Sequence, residues 1–165
     1  MQGFPEAFEE YKRQMRLGII PRAYQGLMKT FMAMRTQLQK KHPQFEVSSG
    51  IQYGYMDQTY FLFHPQSIRE RGLKVAIVFV HETCRFDVWL ASRNGGFRKK
   101  YWQQFKDKKY DKYRVVPSAK AVDPILEHTI VAEPNFRDPE MLSAQIERGA
   151  LSFIRDVERF LSKSD

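Results

Sequence analysis

The sequence predicts an α+β fold, a mainly antiparallel sheet of four or more strands with helices packed on it, and three observations carry that prediction. Apolar residues recur at three- and four-residue steps near the start of the chain and again near its end, the spacing of amphipathic helices. From Phe45 to Ala91 the period changes to alternation and the residues become β-branched and aromatic, which marks strands. Two of those strands flank the short string His81-Glu82-Thr83-Cys84 and read as a hairpin.

The polar stretch after Pro5, with apolar positions at Phe8, Tyr11 and Met15, predicts a short helix that stops near Gly18. A second helix has Pro21 in its first turn and repeats Ala23, Tyr24, Leu27, Met28, Phe31, Met34, Arg35 and Leu38 until His42-Pro43 ends it. Met28, Met32 and Met34 are expected to fill the core. Segments 45–55 and 58–64 predict a first hairpin turning near Met56-Asp57, although Gly54 equally fits a bulge in a single longer strand. Leu73 to Val80 and Arg85 to Ala91 form the second hairpin, about 73–91, and the first of these is expected to be central because it is apolar on both faces. Such a strand calls for helices on each side of the sheet. Phe97 to about Lys109 predicts a middle helix, and Tyr113 to Val116 and His128 to Ala132 predict short strands separated by Pro117, Pro124 and Pro134. The closing helix has Asp138 as N-cap, Pro139 at its first position, and a stripe of Leu142, Ile146, Ala150, Phe153, Val157, Phe160 and Leu161.

A chain of 165 residues is the size of one domain, 1–165, and the loop 117–127 is its nearest approach to a linker. No tract approaches the ~18 apolar residues of a membrane span, and the opening residues lack the apolar core of a signal peptide. The one cysteine, Cys84, cannot form an internal disulfide, so a cytoplasmic location is expected. A net charge of +8 favours anionic partners.

Pairing Val80 with Arg85 places Val75, Ile77, Phe79, Phe86, Val88 and Leu90 on one wholly apolar face. The opposite face carries Lys74, Ala76, Val78 and Val80 against Ala91, Trp89, Asp87 and Arg85. Two readings of this second face stand side by side. In one, Arg85 pairs with Asp87 and Trp89 covers Ala76 as ordinary packing. In the other, Arg85, Asp87, Trp89 and Arg93, with Lys74 and Asn94 nearby, wall a site for a phosphate- or carboxylate-bearing small molecule, Ala76 and Ala91 leaving room for it. Asn94 belongs to the string Arg93-Asn94-Gly95-Gly96, which resembles part of an anion-binding nest ahead of a helix.

A metal-dependent nuclease, or another enzyme acting on phosphate esters, is an alternative that would draw on Asp57, Glu82 and Asp87, with Lys74 in place of the lysine expected two residues beyond an acid. His81 and Cys84 offer two possible metal ligands, but nothing completes the set, and solvent-facing turn residues are the simpler description. No cofactor and no resident metal follow from the sequence.

Between Phe97 and Arg114 lie eight Lys or Arg and two Asp, which suggests nucleic-acid binding. On a helical wheel, however, Phe97, Tyr101, Trp102 and Phe105 share one face, from which most of the basic residues are excluded. Only Arg98, Lys108 and Lys109 lie near the aromatic side. Such segregation indicates rings in the core and lysines in water. Only the tail from Lys108 to Arg114 keeps its rings, Tyr110 and Tyr113, interleaved with charge. Nucleic-acid binding is thus less consistent with the pattern than a small anionic ligand, and a protein-interaction module is a third class.

The strings Tyr53-Gly54-Tyr55-Met56-Asp57, Leu73 to Phe79, Arg85 to Leu90, Arg93-Asn94 and Lys100-Tyr101-Trp102 resemble an uncharacterised bacterial domain-of-unknown-function family. The resemblance covers nearly the whole chain and implies a small bacterial protein, with no activity or catalytic residue to carry over. It adds Tyr55 and Asp57 as secondary site candidates.

Overall fold

The computed structural model describes residues 3–118 and 124–165. Those residues form, in order, α1 (Phe4–Leu17), α2 (Ile19–Lys41), β1 (Phe45–Val47), β2 (Gln58–Pro65), α3 (Gln66–Glu70), β3 (Leu73–Val80), β4 (Arg85–Ser92), α4 (Gly95–Asp107), β5 (Arg114–Val115), β6 (Leu126–Val131) and α5 (Pro139–Ser162). The α+β class is as the sequence predicts. One six-stranded sheet runs β1-β2-β3-β4-β6-β5, antiparallel at every junction. Of the 117–127 loop, residues 119–123 lie outside the described residues.

β3 is central, and its register with β4 is the one expected: Val80 opposite Arg85, Val78 opposite Asp87, Ala76 opposite Trp89. The apolar face of this hairpin is covered by α2 and α5. Phe31, Met34 and Leu38 from α2 and Leu142, Ile146, Ala150, Phe153, Ile154, Val157 and Leu161 from α5 join Val75, Ile77, Phe79, Phe86, Val88 and Leu90 in one buried cluster. Each such side chain removed from water contributes about 1.5–3 kcal/mol, so this face holds the fold together. α5 approaches β6 so closely that a Cβ on Gly149 would run into the Ile130 side chain. The expected cap forms, Asp138 accepting from the Met141 N–H at 3.0 Å, and Asn94 caps α4 in the same way, accepting from the Phe97 N–H at 3.0 Å.

Four expectations are corrected. The second face of β3 needs no covering helix layer: Ala76 and Val78 are buried yet lie outside the main core cluster, in rows that also hold Tyr60, Asp87 and Trp89. Secondly, α1 buries none of its residues. Gly18, with φ at 72°, ends α1 and caps α2, so the chain turns sharply and α1 leans on α2. Met32 is exposed on the outer side of α2 and does not fill the core, because it lies off the Phe31–Met34–Leu38 stripe. Finally, the first hairpin has a short opening strand. At Ser48 the backbone N–H still donates to the Leu62 carbonyl at 3.1 Å, but the return bond goes to the side chain, Oγ accepting from the Leu62 N–H at 3.0 Å, and full backbone exchange resumes where Gln52 pairs with Tyr60. Gly54, with φ at 65°, belongs to the turn that follows.

Candidate functional site

The alternation of β2, β3 and β4 sends Gln58, Tyr60, Leu62, Lys74, Ala76, Trp89 and Ala91 to the face opposite α2 and α5. There they line a trough of about 390 Å³, completed by Ser48 and Gln52 on one side and by Ser92, Arg98 and Pro124 on the other. Ala91 lies opposite Lys74 and Ala76 opposite Trp89, so the floor is made of methyl groups between a lysine and an indole. The volume is that of a small-molecule site.

The electrostatics are one-sided. Lys74 and Arg98 are the charged residues of the described lining, and no carboxylate lines it. Lys74 is half-buried and has no ion-pair or hydrogen-bond partner among the described residues. Arg98 is 1% exposed and donates through Nη2 to the carbonyls of Ser118 at 2.9 Å and Pro124 at 3.1 Å. It thereby fixes the two chain segments beside the trough.

The sequence-derived candidates divide. Lys74 and Trp89 are brought together in the trough. Arg85 and Asp87 are not part of its lining. Their side chains pair on β4, Nε to Oδ1 at 2.9 Å and Nη2 to Oδ2 at 3.1 Å, and the Trp89 indole N–H points to the same carboxylate at 3.5 Å. Of the two readings, the packing one describes this pair: Arg85 is engaged by Asp87 and lies outside the trough. Arg93 is exposed and lies on a separate, more open depression of about 690 Å³ with Glu46 and Arg69, themselves paired at 3.2 Å. Asn94 is occupied as the α4 cap. Asp57 accepts from the N–H groups of Tyr55 and Gln58, which holds its carboxyl below the usual range, while the Tyr55 side chain is exposed. Asp57 and Asp87 thus serve different local tasks, and Glu82 is exposed on the β3–β4 turn. Among the described residues no three His, Cys, Asp or Glu side chains converge as metal ligands.

His81 departs from the solvent-facing description. It is half-buried, Nε2 lies 2.8 Å from Thr59 Oγ1, and the ring stacks on Tyr24 at 6.1 Å. His64, on the trough face of β2 and opposite Glu46, is buried with Nε2 unpartnered, and its burial lowers its pKa below the ordinary 6.5.

The basic segment resolves in part as the wheel predicts for α4: Tyr101 and Phe105 are buried, Trp102 is half-buried and Lys99, Lys100 and Lys106 are exposed, but Phe97, expected on the core side, is exposed. The tail does not keep free rings. Tyr110 packs against Phe105 and Phe160, and Tyr113 is buried with its hydroxyl donating to Asp156 at 2.6 Å.

Sequence reasoning missed Gln52, Gln58, Tyr60 and Arg98. The alternation of β2 assigns Gln58 and Tyr60 to the Lys74 face once the first hairpin is placed beside the second. Arg98 carried its own signal: it was a basic residue on the aromatic side of α4.

Residues 4–161 match the family described as "Domain of unknown function (DUF7000)". The chain belongs to this family. Its members have no assigned activity in that description, so the family fixes extent and kinship while leaving the chemistry to the trough. No curated protein and no solved structure matches the chain. No helix of the described residues is long and apolar enough to cross a membrane.

Proposed function

We propose that this member of the DUF7000 family is a small-molecule binding protein whose trough takes an anionic ligand, a phosphate or carboxylate attached to a flat or apolar body. One observation carries the reading: Lys74, half-buried and lacking any carboxylate partner among the described residues, stands beside the Trp89 indole over an alanine floor. An ammonium held partly out of water gains from an anion far more than one in bulk solvent. Trp89 and Tyr60 offer apolar area to the ligand body, and the amides of Gln52 and Gln58 offer donors and acceptors. Arg98 adds a second cation to the wall. The lone, exposed thiol of Cys84 is compatible with the reducing cytoplasm of a bacterial cell.

The test is a thermal-shift screen of phosphorylated and carboxylated metabolites, followed by titration of each hit. A ligand at about 100 times its Kd stabilises the fold by about 2.7 kcal/mol. Lys74→Ala is expected to weaken binding at least ~10-fold without changing the melting temperature of the free protein, since the residue has no partner to lose. Hits that bind Lys74→Ala as tightly as the wild type would overturn the proposal.

A further inference from the structure

The strand register sorts the polar groups of the trough along its length. Lys74 and Ala91 face each other in one row, and Leu62, Ala76 and Trp89 make the next. Tyr60 and Val78 form the third row, with Gln52 bridged to Tyr60, and Gln58 and Val80 form the fourth. Same-face residues on a strand stand about 7 Å apart, so the third row lies roughly 14 Å from the Lys74 row and the fourth roughly 20 Å. Arg98 belongs to the lysine end: it donates to the Pro124 carbonyl, and the next residue, Ile125, donates its N–H to the carbonyl of Leu90, the neighbour of Ala91. Cations thus stand at one end and carboxamides at the other.

Both ends keep hydrogen-bonding capacity in reserve. Lys74 has no partner among the described residues, and neither do the amides of Gln52 and Gln58 or the Tyr60 hydroxyl. Between the ends, the Trp89 and Tyr60 rings make no contact with another ring or a cation among the described residues. They flank the Ala76 floor from β4 and β2.

Each part of this arrangement selects a part of a ligand. Two cations at one end suit a phosphate, with a charge of about −1.5 to −2 at pH 7, better than a singly charged carboxylate. Two rings over a methyl floor suit a flat ring system, and one with two fused rings covers more of them than a single ring does. A carboxamide sets one acceptor beside one donor, the complement of the adenine edge, where an amine adjoins a ring nitrogen. The cytosine amine is read by a carboxylate, and none lines the described trough; guanine is read by a cation, and the cations stand at the opposite end. We infer that the trough is a mononucleotide site, with the phosphate at Lys74, adenine against Trp89 and Tyr60, and its edge read by Gln52 and Gln58. This inference rests on the reading of the trough as an anion site and adds the rest of the ligand.

Calorimetric titration of the full chain with adenosine monophosphate, ribose 5-phosphate, guanosine monophosphate and cytidine monophosphate tests the two readings separately. Adenosine monophosphate should bind at least ~10-fold more tightly than the other three. Lys74→Ala should weaken adenosine monophosphate and ribose 5-phosphate alike. The double variant Gln52→Leu, Gln58→Leu should weaken adenosine monophosphate at least ~10-fold and leave ribose 5-phosphate unchanged. Its melting temperature should match the wild type, because neither amide has a partner to lose among the described residues, and its binding of ribose 5-phosphate reports an intact trough. Adenosine monophosphate bound no more tightly than the other three, or indifferent to the double variant, would overturn the nucleotide assignment and leave the anion site standing. Failure of every one of these phosphates to bind would overturn both.

Discussion

The two faces of the β3–β4 hairpin are built from the same 16 strand residues and do opposite things. On the covered face, α2 and α5 bury Val75, Ile77, Phe79, Phe86, Val88 and Leu90 in a continuous apolar cluster. On the open face, the same strands show a lysine without a partner among the described residues, an arginine–aspartate pair, an indole and a floor of alanines. The covered face is made of contacts that would be costly to remove, whereas the open face keeps one charge unspent. The first pattern is what stability requires, and the second is what recognition requires.

The comparison breaks hardest at Phe86. It is fully buried, between Phe31 and Phe79 on the covered face, and Phe86→Ala is expected to destabilise by about 3–5 kcal/mol, read as a fall in the denaturant midpoint. Should the loss match that of an exposed site, the covered face is not the seat of stability. A smaller effect separates two arginines that the sequence treats alike. Arg85→Ala leaves the buried Asp87 carboxylate without its main partner and should cost roughly 1–3 kcal/mol, less than a fully buried pair because Arg85 is itself about a third exposed. Arg93→Ala, at an exposed position, should stay within about 0.5 kcal/mol. Equal losses in the two would remove the distinction between structural pair and free surface charge.

The smallest effect is a slope with pH. Burial lowers the pKa of His64 in the folded protein, so the unfolded chain takes up a proton that the folded chain refuses. Stability is therefore whole above 6.5, the ordinary value, and declines as pH falls through it toward the lower folded value. His64 can contribute at most about 1.4 kcal/mol per pH unit. In urea titrations from about pH 8 to about pH 5, His64→Gln should lose stability less steeply than the wild type. Part of the slope should persist, because burial lowers the pKa of His81 and His128 as well. An unchanged slope would show that His64 takes up its proton as readily folded as unfolded.

Most of the fold was legible because it rests on local periodicity. The α2 stripe, the register of the second hairpin, and the Asp138 and Pro139 start of α5 each follow from spacing or capping chemistry within a few residues. The candidate site was legible by half. Lys74 and Trp89 were found because strand alternation sends them to one face, and the room over Ala76 and Ala91 follows from the same alternation. Gln52 and Tyr60 were missed because they reach the trough through pairing across a hairpin whose ladder breaks at Ser48, where a side chain substitutes for the backbone. Arg85 stayed open between two readings because the sequence shows that it can reach Asp87 or a ligand, but not which wins.

The sequence by itself determined where helices and strands lie, which hairpin face is apolar, and that the protein carries excess positive charge. These are properties of neighbouring residues and of composition. Only the tertiary structure decided that the second face holds a trough, that Arg98 reaches its rim from α4, that Arg85 is taken by Asp87 while no described residue takes Lys74, and that α1 stands away from the core. Each of those depends on which distant segments meet, and a charge or an apolar stripe acquires its role from what the fold places against it.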